Sequence, residues 1–280
     1  MRIEFSRIIT MPYFYVGIVL CCLFCFTMET YAGGETFSQS LLQVLPGIGR
    51  RETIDIELLN PCILIQGAAT GYLSLFAPVL TSIPYIISYS EEKKMRYKYY
   101  RISRTSLKSY YRNKWSAGIL GGGIVMLTGC FLFHLCLLIF FPQLGSGTEY
   151  LHSVGISGSM QFLFYIQIYL GLFFYGMISV LPAIILSVFC NNLYFLICIP
   201  FLATFFWNLL VSRLSEWIIY IYKGKHITLA TINYLYSTSI TDGFTSLLKL
   251  PVTVIQLTGC ILLLLCLYYI MISHVLDCGE

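Results

Sequence analysis

Histidine and cysteine are the side chains of this chain that could bind a metal ion, and their spacing is a weak match to a metal site. His274 has Asp277 three residues later, but the pair lies at the end of an apolar run, where a capping role is expected. Cys21, Cys22 and Cys25 lie close together inside another apolar run, which favours packing as small apolar side chains. We therefore predict no metal site.

The sequence from Glu91 to Arg96 resembles the Glu-Glu-x-x-x-Arg signature of the intramembrane prenyl-protease-like hydrolases. The resemblance implies that Glu91 and Glu92 activate water, with His residues on later helices as partners. However, Phe131 to His134 has one spacer fewer than the family's Phe-x-x-x-His element, and His274 has no Asn or Asp four residues later. An intramembrane hydrolase is therefore an alternative, and we expect His134 to be a neutral side chain hydrogen-bonded to a neighbouring helix.

Nucleotide hydrolysis requires a phosphate-binding loop that ends in Gly-Lys-Ser/Thr after an earlier Gly. The Gly-Lys pair of this chain, Gly224-Lys225, is followed by His226 and lacks the earlier Gly. We therefore predict that the chain is not an enzyme, has no catalytic residues and binds no cofactor. Any associated ATP hydrolysis is expected on a separate subunit.

The composition indicates an integral membrane protein. Of the 280 residues, 58% are hydrophobic and 11% are charged, whereas soluble domains contain about 25% charged residues. This leaves too little polar surface to cover a soluble globule. Most of the eleven Cys lie in or beside apolar runs, so we interpret them as packing residues and not as a disulfide framework.

Six apolar stretches have the length of roughly 20 residues that a helix needs to cross a membrane. They lie at about 12–31, 62–88, 115–141, 159–188, 190–211 and 251–274. We predict an all-α membrane protein with six transmembrane helices in a single domain, 1–280. Gly67, Gly71, Pro78 and Pro84 predict a kinked second span, and Pro182 predicts a break near the end of the fourth. Gly118 and Gly122 predict close helix packing by the third.

Arg2 and Arg7 precede the first span and place the N-terminus in the cytoplasm by the positive-inside rule. The first apolar run is longer than the 7–15 residues of a signal-peptide core, so we expect it to remain uncleaved. Six spans then place both termini on the cytoplasmic side of the cell membrane. Residues 33–61 and 212–250 would face outward, the latter as short re-entrant or interfacial helices.

The stretch from Glu91 to Lys114, here called the cationic segment, has an unusual density of charge. It contains nine of the chain's seventeen Lys and Arg residues against two acids. Long apolar runs flank it, which places it in the cytoplasm. Tyr and Leu residues recur among the charges at roughly helical spacing, which predicts a helix that meets a protein partner. A basic collar against anionic lipid headgroups is the alternative interpretation.

The cationic segment resembles the corresponding part of the permease subunits of six-helix ATP-binding-cassette exporters of the bacterial type V class. In those permeases, an acid after the second span precedes basic and apolar residues, a Pro or Ser break, and an aromatic residue shortly before Lys. The corresponding parts of this chain are Glu92, Tyr97 to Ile102, Ser103 to Ser106, and Tyr110 to Lys114. The family's Gly after the acid and its central Pro are absent here.

The resemblance implies a permease subunit whose cationic segment is a coupling helix docked on a separate cytoplasmic ATP-binding subunit. A second permease copy or a homologue would complete the pathway as a homodimer or heterodimer. The implied contacts with the ATPase subunit are Glu92, Arg96, Tyr97, Tyr100, Arg101, Arg104, Leu107, Tyr110 and Tyr111. The exported substrate would be an amphiphilic peptide, lipid or drug-like compound, and no nucleic acid partner is expected. A non-transporting membrane assembly or immunity protein is a further alternative.

Overall fold

The computed structural model of the chain is a bundle of helices with one short pair of strands. It describes residues 2–31, 38–43, 45, 61–69, 71–95, 106–141, 152, 159–190, 192–222, 239 and 250–277. The elements in chain order are α1 (Arg2–Thr10), α2 (Pro12–Cys25), β1 (Glu29–Tyr31), β2 (Ser38–Ser40), α3 (Pro61–Gln66), α4 (Tyr72–Lys94), α5 (Leu107–Phe140), α6 (Ser159–Ser179), α7 (Leu181–Phe189), α8 (Leu193–Tyr222) and α9 (Leu250–Asp277). The two strands are antiparallel, with Thr30 opposite Gln39.

Among the residues that the structure describes, four helical stretches are long and apolar enough to cross a membrane. They are Tyr72–Glu92, Lys108–Phe140, Met160–Ser187 and Leu193–Trp217. Helices α1 and α2 meet at a bend of 62° and add a fifth span if the pair is counted as one. Helix α9 lies at the position of the predicted sixth span. The multi-span helical fold class is confirmed in this form, while the six-span count stays a prediction.

The first predicted span is too long, because α2 ends at Cys25 and the chain then enters β1. The turn after the helix binds the last carbonyl groups: the Thr27 hydroxyl donates to the Phe24 carbonyl at 2.6 Å, and the Thr27 amide donates to the same oxygen. Both bonds satisfy the Phe24 carbonyl, an acceptor at the helix end that has no partner from a further helical turn. The apolar run beyond Cys25 is therefore not helical.

The fifth predicted span is too short, because α8 continues to Tyr222. Residues 212–222 were expected to form separate re-entrant or interfacial helices, and this part of the prediction is wrong. Two charged residues in this extension, Arg213 and Glu216, lie three residues apart and form an ion pair of 3.0 Å on the exposed side of the helix. Their charge is thus accommodated without ending α8. Residues 223–249 lie outside the described part of the chain, except 239.

The second predicted span is interrupted at Gly71, one of the four residues that predict its kink, while the helix continues through both prolines. Helix α3 is followed by a 3-10 turn, Gly67–Ala69, and Gly71 then has a φ angle of +68°. This left-handed conformation favours glycine, and a Cβ atom there would lie 2.7 Å from the Thr27 carbonyl oxygen. Pro78 and Pro84 both lie inside α4. The predicted break near Pro182 is confirmed, because α6 ends at Ser179 and α7 begins at Leu181.

Pro78 leaves a backbone acceptor in α4 without its usual helical donor. Proline has no N–H group, so the carbonyl of Ser74, four residues earlier, loses its intrahelical hydrogen bond. The hydroxyl of Tyr175 on α6 donates to this carbonyl at 3.2 Å. A neighbouring helix therefore supplies the missing donor, as a membrane bundle requires.

Helix α5 lies at the centre of the bundle and packs against α1, α2, α4 and α6. Its glycines lie where these neighbours approach most closely. A Cβ atom on Gly118 would lie 2.5 Å from the Tyr85 ring of α4, and one on Gly122 would lie 2.0 Å from the Val180 side chain. The close packing that Gly118 and Gly122 predict is therefore confirmed.

The substitution Gly122→Ala is expected to destabilise the bundle by about 1–3 kcal/mol, because the added methyl group overlaps Val180 and two neighbouring carbonyl oxygens. The measurement is unfolding of the detergent-solubilised protein in sodium dodecyl sulfate, followed by circular dichroism. Gly259→Ala is the matched control in α9, since a Cβ atom there meets nothing within 4 Å. Equal stability of the two variants would contradict the packing role of Gly122.

Candidate functional site

A buried group of ionic and polar side chains lies where α1, α4 and α5 meet, at the two ends of the cationic segment. The members from α1 are separated from the others by more than 80 residues of sequence. We call this group the polar cluster; it consists of Glu4, Arg7, Ser88, Glu91, Glu92, Tyr110 and Lys114.

Lys114 is the centre of the polar cluster, and its side chain has 0% solvent exposure. Its Nζ atom lies 3.0 Å from Oε1 of Glu92 and 3.3 Å from Oε2 of Glu4. It also donates a hydrogen bond of 3.0 Å to the hydroxyl of Ser88. A buried ammonium group is costly unless it is paired and hydrogen-bonded, and Lys114 has both kinds of contact. It therefore connects α5 to both α1 and α4.

Glu92 is the second buried centre, with 1% of its side chain exposed. Its Oε1 atom accepts a hydrogen bond from the guanidinium group of Arg7, and its Oε2 atom accepts one of 2.8 Å from the Tyr110 hydroxyl. Glu91 lies at the edge, with its Oε2 atom 3.7 Å from Arg7 and 41% of its side chain exposed. Glu92 thus holds the end of α4 against the first turns of α1 and α5.

Helical spacing explains why these side chains meet. Ser88 and Glu92 are four residues apart on α4, and Tyr110 and Lys114 are four residues apart on α5, so each pair lies on one helix face. The first turn of α5 is set by Ser106, whose side chain accepts a hydrogen bond from the Ser109 amide. The cap fixes where α5 begins and therefore which of its residues face α4.

The cluster contains two cations, Arg7 and Lys114, and three acids, Glu4, Glu91 and Glu92. Removing one buried partner from such a group leaves an uncompensated charge at low dielectric, whereas in the complete group each buried charge has an opposite charge beside it. The acids are paired with cations and a phenol, so the arrangement is suited to holding three helix ends together.

Three of the nine predicted ATPase contacts lie inside the bundle. Glu92 belongs to the polar cluster, and the buried rings of Tyr110 and Tyr111 pack edge-on at 5.3 Å. Tyr111 also packs against Trp115 at 6.3 Å. We therefore reassign these three side chains to internal packing, because little of their surface is open to a second polypeptide.

The remaining predicted contacts fall on parts of the chain about which less is described. Arg96, Tyr97, Tyr100, Arg101 and Arg104 lie outside the described residues. Leu107 is the first residue of α5, described in its backbone alone. The helical character of the cationic segment is thus seen at its two ends, up to Lys94 and from Leu107 onward.

Glu92 and His134, two residues of the hydrolase alternative, do not come together. His134 follows Lys114 by twenty residues on the same helix, which places the two about 30 Å apart along α5. His134 instead has its Nδ1 atom 2.7 Å from the Tyr169 hydroxyl, and its ring stacks on Tyr165. The expected hydrogen bond of His134 to a neighbouring helix is confirmed, and Glu92 lies at the other end of α5.

Sequence reasoning missed Glu4, Arg7, Ser88 and Lys114 as members of a site. One signal was available: Lys114 is an ionisable residue at the entrance of an apolar span, and such residues are expected to have a specific partner. The partners on α1 could not be read from the sequence, because no local pattern shows that α1 folds back over the ends of α4 and α5.

Comparison of the chain with protein-family models, with curated proteins and with solved structures finds no match. Its function is therefore inferred from the pattern of its sequence and from the geometry of the polar cluster.

Lys114→Met is expected to lower the free energy of unfolding by about 3–5 kcal/mol, because it leaves the carboxylates of Glu4 and Glu92 buried without their shared cation. The matched control is Arg213→Met, which breaks an ion pair whose partners are 75% and 61% exposed, with an expected loss of about 0.2–1 kcal/mol. Both are measured by unfolding in detergent.

A double-mutant cycle with Glu92→Gln separates the ion pair from other effects of Lys114→Met. The second substitution is expected to be less destabilising in the Lys114→Met background than alone, since Glu92 has then already lost its contact with Lys114 and keeps only those with Arg7 and Tyr110. Strict additivity of the two changes would contradict direct coupling between Lys114 and Glu92.

Proposed function

We propose that the chain is the transmembrane permease subunit of an ATP-driven export system of the cell membrane, whose cationic segment docks on a separate cytoplasmic ATP-binding subunit. One observation carries the proposal: Glu92 and Lys114, at opposite ends of the cationic segment, form a buried ion pair of 3.0 Å that also includes α1. The polar cluster therefore fixes both ends of the cationic segment to the helices of the bundle.

This attachment suits the transmission of force from the cationic segment to the transmembrane helices. A displacement of the cationic segment would move the end of α4 and the beginning of α5 together, because Glu92 contacts both Tyr110 and Lys114. Helix α5 has 34 residues, a length of about 50 Å, so it extends from the polar cluster past the opposite end of the apolar core. Movement at the cluster would thus reach the far side of the bundle and favour one of two packing arrangements.

The described ends of the cationic segment present a suitable docking surface. Lys94, Lys108 and Arg112 are exposed, while Tyr110 and Tyr111 are buried. Exposed cations on a rigid support are expected to pair with acids around a groove of a partner subunit, where charge complementarity sets orientation and specificity. In this proposal the partner would contact the exposed cations and the residues between 96 and 105.

Six helices would form half of a transport pathway, so the assembly would contain a second permease copy or a homologue. ATP binding would bring two ATPase subunits together and move both cationic segments at once. The transported compound would be amphiphilic. The hydrolase alternative is less well supported, because Glu92 is engaged by Arg7, Tyr110 and Lys114 and lies far from His134.

Limited proteolysis tests the orientation. Trypsin added to inside-out membrane vesicles is expected to cut within the cationic segment, because a dense group of cations is retained on the cytoplasmic side. Trypsin added to intact cells from which the outer layers have been removed is expected to cut only in the outward-facing segments, at Arg50 or Arg51 in 33–61 and at sites such as Lys223 or Lys225 in 212–250, and mass spectrometry identifies the sites. Cleavage of the cationic segment in intact cells would rule out the proposed docking.

Purification from native membranes in a mild detergent tests the partner. The tagged chain is expected to retain a nucleotide-binding polypeptide, and the combined change Tyr100→Ala, Arg101→Ala and Arg104→Ala is expected to reduce its recovery at least tenfold. The control combines Tyr194→Ala and Arg213→Ala, which remove an exposed tyrosine and an exposed arginine of α8. Wild-type chain that purifies without any ATPase would contradict the proposal.

A further inference from the structure

Three cysteines from two helices meet inside the bundle, at the end away from the polar cluster. The Sγ atoms of Cys21 and Cys25 on α2 and of Cys130 on α5 all lie within 4.8 Å of one another. The Cys25 and Cys130 sulfur atoms are 3.8 Å apart, and the Cys21 sulfur is 3.6 Å from Sδ of Met126. Each of these four residues has 0% exposure. We call them the thiol cluster.

We propose that the thiol cluster binds a soft monovalent metal ion, Cu(I). The spacing on each helix supports a built site: Cys21 and Cys25 are four residues apart on α2, and Met126 and Cys130 are four residues apart on α5. Each pair therefore lies on one face, and the two faces oppose each other. Four sulfur donors thus converge from two directions.

The distances fit a bound ion. At a metal–sulfur distance of about 2.3 Å, three sulfur atoms arranged trigonally around one ion lie about 4.0 Å from one another. The separation of 3.8 Å between Cys25 and Cys130 already meets this geometry. The upper limit of 4.8 Å for the group requires a shift of less than about 1 Å, which a side-chain rotation supplies.

The donor set and the surroundings favour Cu(I) over the divalent ions. Thiol and thioether sulfur are soft ligands that select Cu(I), whereas structural zinc sites are completed by Cys, His or carboxylate ligands and not by methionine. The Met126 thioether therefore favours the monovalent ion. The four residues of the thiol cluster are fully buried, which shields the bound ion from water. Each cysteine that binds the ion does so as a thiolate, so binding would release one proton for each coordinated thiol.

Gly129 is a positioning residue for this site. A Cβ atom on Gly129 would lie 2.6 Å from Cβ and 2.7 Å from Sγ of Cys21. The absence of a side chain at this position allows α2 to approach α5 closely enough for thiols from both helices to meet. Cys25 is the last residue of α2 and lies four residues before β1, so an ion could reach the site from the adjacent end of the bundle.

The test is an anaerobic titration of the full-length, reduced protein in detergent with Cu(I), in the presence of the competing chelator bicinchoninate. The wild-type chain is expected to hold one Cu(I) more than the variant Cys21→Ser, Cys25→Ser and Cys130→Ser. The matched control, Cys198→Ser with Cys266→Ser, removes two exposed thiols and is expected to retain the wild-type stoichiometry. Equal Cu(I) binding by wild type and the triple variant would overturn the proposal.

Two further measurements keep the test decisive if the triple variant does not fold. X-ray absorption of the loaded wild-type protein is expected to show about three sulfur neighbours around copper; a first shell of nitrogen or oxygen overturns the assignment. Gly129→Ala retains every thiol but displaces Cys21, and it is expected to lower the Cu(I) affinity at least tenfold. Unchanged affinity in a folded Gly129→Ala variant would mean that the ion binds elsewhere.

Discussion

The fold depends on one constraint: a buried ammonium group cannot remain in an apolar bundle without acids beside it. Lys114 meets this requirement with Glu92 and Glu4, which come from two other helices. Either carboxylate would itself be unfavourable at this depth if the cation were absent. Each group therefore makes the burial of the others acceptable, and the three helix ends must assemble together. This mutual dependence determines how α1, α4 and α5 meet.

Different interactions hold the helices together at the two ends of the bundle. At one end, charged side chains hold helix termini in a specific arrangement. At the other, glycines and thiols allow α2 and α5 to approach closely, with Gly129 against Cys21. In apolar surroundings, helix association relies on close packing and hydrogen bonds instead of the exclusion of water. The polar cluster and the contact of Gly129 with Cys21 thus lie at different levels of α5, while Gly118 adds close packing one turn from Lys114.

The positions of the long helices could be predicted because apolar runs of sufficient length have few alternatives in a membrane. Their boundaries could not, since these depend on local hydrogen bonds. The end of α2 at Cys25 follows from the Thr27 bonds to the Phe24 carbonyl, and the break before α4 follows from the φ angle of Gly71. Neither feature interrupts the hydrophobic pattern, so hydropathy alone extends the first span and does not select Gly71 from the four residues, Gly67, Gly71, Pro78 and Pro84, that predict the kink.

The candidate sites were less predictable because both depend on contacts between distant residues. Glu92 and Tyr110 belong to a pattern of charges and aromatics that fits an exposed docking helix as well as a buried cluster. Cys21 and Cys25 are a local pair in the sequence, but the third thiol, Cys130, is 105 residues away from Cys25. Cys130 lies close to Cys21 and Cys25 because α2 and α5 are rotated about their axes so that these faces meet. No local sequence pattern specifies that rotation.

The bond between Tyr175 and the Ser74 carbonyl gives one helix influence over the shape of another. A proline interrupts the internal hydrogen bonding of α4, so bending there meets less resistance than elsewhere along the helix. The Tyr175 hydroxyl spans this weak point from α6 and stiffens it from outside. The flexibility of α4 therefore depends on its contact with α6 and not on the sequence of α4 alone. If α6 slid so that the Tyr175 hydroxyl left the Ser74 carbonyl, α4 would at once become easier to bend.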